Sequence, residues 1–212
     1  MIKIHSYPLL AVFLVTAFAS SASAAVSGTD EESRGAGLRF AARDGRILDV
    51  RKLLESGVPV DSANAYGQTP LMAAALAGQA SAMRLLLEAG AAPDRADSQE
   101  NTALHFAAWN CGNGAVRLLL DRDVNVNLRN HNRTTALMNA AEQGCARVVR
   151  LLLGARGIDV RARNDWDKTA RDYAAEGALV IGSDYGQILS ALSPWFNTPR
   201  KAPVSIESRP LQ

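Results

Sequence analysis

The sequence predicts an all-α solenoid of about five stacked helix-turn-helix units, and three observations carry that prediction. A seven-residue phrase recurs at a fixed interval. Thr69-Pro70-Leu71-Met72-Ala73-Ala74-Ala75 returns after 33 residues as Thr102-Ala103-Leu104-His105-Phe106-Ala107-Ala108, and after another 33 as Thr135 to Ala141. A fourth copy, Thr169 to Ala175, follows after 34, and a worn one, Leu38 to Ala42, lies 33 before the first. The triplets Leu85-Leu86-Leu87, Leu118-Leu119-Leu120 and Leu151-Leu152-Leu153 keep the same spacing. So do the residues that break helices between and after them. Such a period belongs to units that bury their apolar faces only against their neighbours.

The phrase has its own physics. Threonine at a helix start accepts a hydrogen bond from one of the first unpaired amides. Pro70 follows it at the first helical position, where a fixed φ helps and a missing N–H costs nothing. The paired alanines are small enough for neighbouring helices to approach closely.

At the amino terminus, Lys3, the apolar block Leu9 to Phe18 and the small residues Ala22-Ser23-Ala24 form the three parts of a secretory signal peptide over residues 1–24, with cleavage after Ala24. The apolar block is too short for a membrane span, which needs about 20 residues. Residues 25–37 lack apolar periodicity and are expected to be a flexible lead-in. The repeat domain is expected over 38–193. Its first unit begins at Leu38, lacks the Thr-Pro start and carries Arg39, Arg43 and Arg46, which suits an end cap facing water. Three regular units follow, with helix stops at Gly78, Cys111 and Gly144 and second-helix ends at Gly90, Asp123 and Gly157. Cys111 replaces a glycine, and Gly112 and Gly114 after it predict a loose start to the next helix. Short extended runs at Val60-Asp61, Pro93-Asp94, Val126-Asn127 and Val160-Arg161 lead into turns begun by Asn64, Asp97, Asn130 and Asn164. The last unit is irregular after Ala175 and reads as the C-terminal cap. Residues 194–212, with four prolines among the last nineteen, are expected to form an extended tail, Trp195 and Phe196 packing onto the last helix.

The phrase resembles the T-P-L-H-x-A-A of ankyrin repeats. Every later copy keeps Thr and both alanines, only the first full copy has Pro, and only the second has His. The resemblance implies an ankyrin solenoid whose turns are the tips of short β-hairpins, with His105 bracing a neighbouring hairpin. The glycine expected three residues into each tip is present only as Gly67. Glu100, Arg133 and Asp167 replace it, so those tips are expected to be less regular.

Composition excludes several functions. The chain is 48% hydrophobic and 21% charged, within the range of folded proteins. Loss of the leader removes only Lys3, leaving 22 basic against 21 acidic side chains, a balance with no field for nucleic acid or an anionic membrane. No metalloprotease pair, nucleophile elbow or phosphate-cradling loop is present, so no enzyme, no metal site and no cofactor are expected. Cys111 and Cys145 occupy nearly equivalent places in adjacent units of a chain bound for an oxidising compartment. Equivalent positions on stacked helices lie about 8–10 Å apart, beyond the ~7 Å that a bridge tolerates, which argues against a disulfide, although the one-residue offset between the two changes that distance and leaves the pairing open. Arg51, Arg84, Arg117 and Arg150, spaced by 33, form a ladder best read as a hydrated convex face, with an anion-binding stripe as the alternative.

Because alanines and leucines are committed to stacking, identity is written in the variable columns. The resemblance places these on the tips and on the concave side of the first helices. They are Ala65, Tyr66 and Gln68; Ser98, Gln99 and Asn101; His131, Asn132 and Thr134; and Asp165, Trp166 and Lys168. The first helices add Leu76 and Ala77, Trp109 and Asn110, and Glu142 and Gln143. Tyr66, Trp109 and Trp166 are the natural anchors, since large aromatic side chains give much contact area at little entropic cost. The expected function is a monomeric, non-catalytic scaffold of the periplasm that binds another protein. The alternatives are an inhibitor or immunity protein blocking a toxin or enzyme, or an accessory to envelope stress or redox enzymes.

Overall fold

The computed structural model describes residues 30–178 and 182–197. The expected signal peptide and the tail beyond Asn197 lie outside those residues. The described residues form ten helices in five antiparallel pairs: α1 (Asp30–Arg43) with α2 (Ile47–Glu55), α3 (Pro70–Leu76) with α4 (Ala80–Glu88), α5 (Ala103–Trp109) with α6 (Asn113–Leu120), α7 (Ala136–Glu142) with α8 (Ala146–Leu153), and α9 (Ala170–Ala178) with α10 (Gly182–Asn197). First helices pack on first helices and second on second, pair after pair, in two layers. None of the described helices is long and apolar enough to cross a membrane.

The repeated phrase builds each first helix in a defined way. Thr69 Oγ1 accepts from the Met72 amide at 3.3 Å and Thr135 Oγ1 from Met138 at 3.4 Å. The third helical residue answers by accepting from the threonine amide, through Met72 Sδ, His105 Nδ1 or Asp172 Oδ2. That reciprocal arrangement satisfies two otherwise orphaned donors. Each of the first four first helices ends where a residue of the linking turn adopts a left-handed conformation. Gly45, Gly78, Cys111 and Gly144 have φ of 69°, 69°, 54° and 73°. The following amide then reaches back five residues: Arg46 to Ala41 O, Gln79 to Ala74 O, Gly112 to Ala107 O and Cys145 to Ala140 O, all at 2.8–2.9 Å. Gly112 takes the same backbone angles as Arg46, Gln79 and Cys145 at this place (φ −76°, ψ 75°), so the start of α6 is set like the others and not loosened.

The core is one continuous column. The alanine pairs 41/42, 74/75, 107/108 and 140/141 are fully enclosed, and Leu71, Met83, Leu86, Leu119, Leu137 and Leu152 fill the space between layers. Alanine is needed where first helices meet, since a longer side chain there would force the helices apart or off-rotamer.

Three expectations about the domain ends and the connecting runs change. The lead-in is helical from Asp30, so the first cap helix extends eight residues further toward the amino terminus than residue 38. Arg34, on that extension, and Arg39, just after it, donate to the Ser56 and Ser62 carbonyls. At the other end α10 continues through Pro194 to Asn197, so the extended tail does not begin at 194. Phe196 is partly buried against the core, Arg161 donates to the Trp195 carbonyl at 2.8 Å, and Arg161 and Arg171 lie over the Phe196 ring. The expected extended runs at 60–61, 93–94, 126–127 and 160–161 are turns. Their Asp61, Asp94 and Asn127 side chains accept from the amides of Ala92, Asn125 and Asp159 in the next unit.

The tips themselves are tight loops and not regular β-hairpins; among the described residues the only bridge is Arg129 with Thr135. The donors that a strand ladder would use are taken by side chains. Asn64 Oδ1 accepts from the Tyr66 and Gln68 amides, and Asp97, Asn130 and Asn164 repeat the pattern. Backbone bonds then run sideways between tips, from Ser98 to Tyr66 O, His131 to Gln99 O and Asp165 to Asn132 O. The expected irregularity of three tips is also absent. Glu100, Arg133 and Asp167 take φ of 60°, 58° and 58°, close to the 75° of Gly67, and each amide closes the same bond as the glycine. The Asx side chain and the sideways bonds over-determine the loop, so the left-handed strain of a non-glycine residue is absorbed.

Candidate partner-binding face

Each unit contributes a tip loop and the last turn of its first helix to one side of the stack. Lys168, at the base of the last tip, reaches Glu176 on α9, Nζ to Oε2 at 2.8 Å, which shows these two columns facing each other. Five register positions form the helix column, one per unit: Arg43, Leu76, Trp109, Glu142 and Glu176. The tip positions are Tyr66, Gln99, Asn132 and Trp166.

Exposure separates the expected site residues. Tyr66 is 58% exposed, Trp166 60% and Trp109 38%, although every other large apolar side chain of the three central units is at least partly buried. Gln99, Asn110 and His131 are exposed, and Asn132, Leu76, Glu142 and Lys168 are half-buried. Gln68 does not belong to the surface: it is buried, and its Oε1 accepts from Asn64 at 2.9 Å. Asn101 is likewise engaged, accepting from Asn130 Nδ2 across the repeat boundary at 3.0 Å. The sequence pattern could not separate these two from their neighbours, because a side chain at the loop base can turn inward, as Gln68 does, or reach the face, as Lys168 does from the same column. Thr134 is buried for the same reason.

The electrostatics are uneven along the face. Glu142 is half-buried and, among the described residues, makes no ion pair; burial pushes its carboxyl upward, with Lys168 opposing and Glu176 adding to the shift. The Glu176 hydrogen bond raises Lys168, which also lies 5.3 Å from the Tyr173 ring. Tyr173 is raised in turn, mainly by its own burial. At the opposite end Arg43 lies over the Phe40 ring at 5.1 Å and pairs with Asp44 at 3.1 Å. No group of three or more His, Cys, Asp or Glu among the described residues is placed to hold a metal ion. The arginine ladder is exposed along the second helices, and Arg150 donates to Gln187 Oε1 at 3.2 Å.

Two features hold this face in shape. His105 is enclosed; the Thr102 amide donates to Nδ1 at 3.2 Å, so Nε2 carries the proton and donates to Thr134 O at 3.1 Å. Burial pulls its imidazole down to about 4. The ring therefore stays neutral and ties the base of the next tip to α5. The second feature corrects the expectation for the cysteines: Cys111 and Cys145 form a disulfide, with Cα atoms 5.2 Å apart. The helix-spacing argument failed because neither residue is on a helix axis. Cys111 occupies the left-handed position after α5, and Cys145 caps the start of α8, so the one-residue offset brings two inter-helix turns together. A tyrosine unremarked in the sequence closes the last gap: Tyr185 donates to Glu142 O at 2.8 Å and packs on Gly144 and Gly177. A Cβ at Gly177 would lie about 2.0 Å from that ring, so the glycine is a slot for it. Only the unexplained glycine hinted at this in sequence.

No curated protein matches the chain. A family model described as ankyrin repeats (3 copies) matches residues 38–130, and a second, ankyrin repeats (many copies), matches 118–174. Together they span most of the chain and both regular and capping units. Proteins of this family generally mediate protein–protein interaction and are typically non-catalytic binding scaffolds. With its period, its phrase and its paired helix layers, this chain belongs to the ankyrin-repeat family.

Proposed function

We propose that the chain is a monomeric, non-catalytic adaptor of the periplasm that grips one partner protein along its concave face and tips. The observation that carries this reading is the exposure of Tyr66, Trp109 and Trp166 on one side of a stack whose other central apolar side chains are covered. Aromatic side chains in water cost stability unless something covers them, and they are the commonest anchors of interfaces. The rigid frame beneath them limits the ordering entropy of association. The leader-like residues 1–24 support export, and the Cys111–Cys145 bridge supports an oxidising compartment, because such bonds persist outside the cytosol.

Affinity capture from envelope extract is the direct test. The wild-type chain is expected to retain one partner, and Trp109→Ala/Trp166→Ala to lose it by roughly a hundredfold in affinity while keeping its helical circular dichroism. Undiminished capture by the folded double variant moves the interface elsewhere.

A further inference from the structure

The helix column of the concave face is chemically graded. From the first unit to the last it reads Arg43, Leu76, Trp109, Glu142 and Glu176. The end positions are internally compensated, Arg43 by Asp44 and Glu176 by Lys168. The middle ones are not: Trp109 shows its indole to solvent, and Glu142, one unit further on, has no cation within ion-pair range among the described residues. We propose that the Trp109–Glu142 step is a seat for a cationic side chain of the partner, lysine or arginine, with Leu76 receiving an apolar neighbour from the same segment. This rests on the adaptor reading above and deepens it.

The geometry suits the role. Adjacent first helices pack about 8–10 Å apart, so a guanidinium or ammonium lodged between the two positions is within reach of both the indole and the carboxylate. Cation–π attraction grows as the site loses water, and a carboxylate adds a charge-assisted hydrogen bond. The Cys111–Cys145 bridge joins the turns that directly follow Trp109 and Glu142, so the width of the seat is fixed before binding. Tyr185, bonded to the Glu142 carbonyl, fixes the helix end from the other side. Burial already disfavours the Glu142 carboxylate, and an arriving cation relieves that cost. An anionic segment would meet a like charge here that Lys168 offsets only from beyond ion-pair distance, and a wholly apolar one would strand it.

The test uses a random twelve-residue peptide library displayed on phage and panned against the full chain. Recovered peptides are synthesised and their affinities measured for wild type, Glu142→Gln and Trp109→Ala. Recovered sequences are expected to share a lysine or arginine close to an aliphatic or aromatic residue. Glu142→Gln, nearly isosteric, should weaken them roughly tenfold, with folding checked by thermal melting, and added salt should weaken wild type more than Glu142→Gln. Peptides that lose affinity in Trp109→Ala but are indifferent to Glu142→Gln overturn the cation seat and leave the adaptor reading standing. Peptides indifferent to both overturn the seat and count against the adaptor reading as well. Recovery of peptides without basic residues, or of none, also overturns the seat.

Discussion

The central pair α5–α6 is joined to its two neighbours by different chemistry. Toward α3–α4 the link consists of packed alanines and leucines, the Ser98 to Tyr66 backbone bond, the Asp94 carboxylate on the Asn125 amide, and Arg122 on the Leu87 carbonyl. Toward α7–α8 equivalents of the first three recur, and four further ties are added. His105 donates to Thr134 O, Asn139 to His105 O at 3.4 Å, Asn130 to Asn101 Oδ1, and the disulfide closes the turns. At the histidine's place the α3 unit has Met72, whose thioether accepts from Thr69 but has no proton for the next tip. One boundary is thus held by nearest-neighbour packing, as in any solenoid, and the other is also clamped. The clamp lies under Trp109 and Glu142, where a fixed separation serves binding most.

Breaking the clamp should show the largest effect. A bridge across 34 residues restricts the unfolded chain by about 4 kcal/mol in the loop-entropy account. Cys111→Ser/Cys145→Ser should lose a substantial part of that in urea unfolding, and wild type under reductant should fall to the same midpoint. Equal stability of oxidised and reduced wild type would show that the boundary stands on packing alone.

The histidine gives the next effect, with a defined sign. Its folded value lies near 4, below its ordinary 6.5, so the unfolded chain takes up a proton first as pH falls. Its contribution is intact above pH 6.5 and is lost progressively toward pH 4, up to about 3 kcal/mol. Asp97 and Glu142, both raised by burial, work the other way at the acid end. The difference between wild type and His105→Gln in chemical denaturation should therefore shrink from pH 7 to pH 4. A difference independent of pH would mean that the ring titrates normally in the fold.

Asn130→Ala removes the bond to Asn101 and the loop-closing acceptor for the Asn132 and Thr134 amides. A loss of about 1–2 kcal/mol is expected, larger than that of a surface substitution at Gln99. The smallest change sharpens the comparison from the opposite side. Glycine at Glu100, Arg133 or Asp167 relieves a left-handed backbone and should stabilise by up to about 1 kcal/mol each, read as a shift in melting temperature. Gly67→Ala should do the reverse, and more strongly, because its Cβ would also meet the Asp97 backbone at 3.2 Å.

Much of this molecule is legible in its sequence. Period, phrase and helix punctuation are short-range properties: a threonine caps its own helix and a left-handed residue ends it, whatever lies beyond. The five pairs and the stacked layers follow from those local rules repeated, and the resemblance to ankyrin repeats implied the role of His105. The exposed aromatics stand in the columns that the resemblance placed on the tips and the concave side. Gln68 and Thr134 were misread as surface because the direction of a loop-base side chain depends on the neighbouring unit.

What only the tertiary structure decided lies at the junctions between units. The bridge between Cys111 and Cys145 depended on a one-residue offset between turns, which helix spacing cannot express. The regularity of the glycine-free tips depended on Asx side chains and sideways bonds outweighing local strain. The slot for Tyr185 and the unpaired carboxylate beside Trp109 depended on which residues of separate repeats come to adjoin. A repeat sequence states what each unit is; the register between units, set by packing across the boundary, determines which side chains meet.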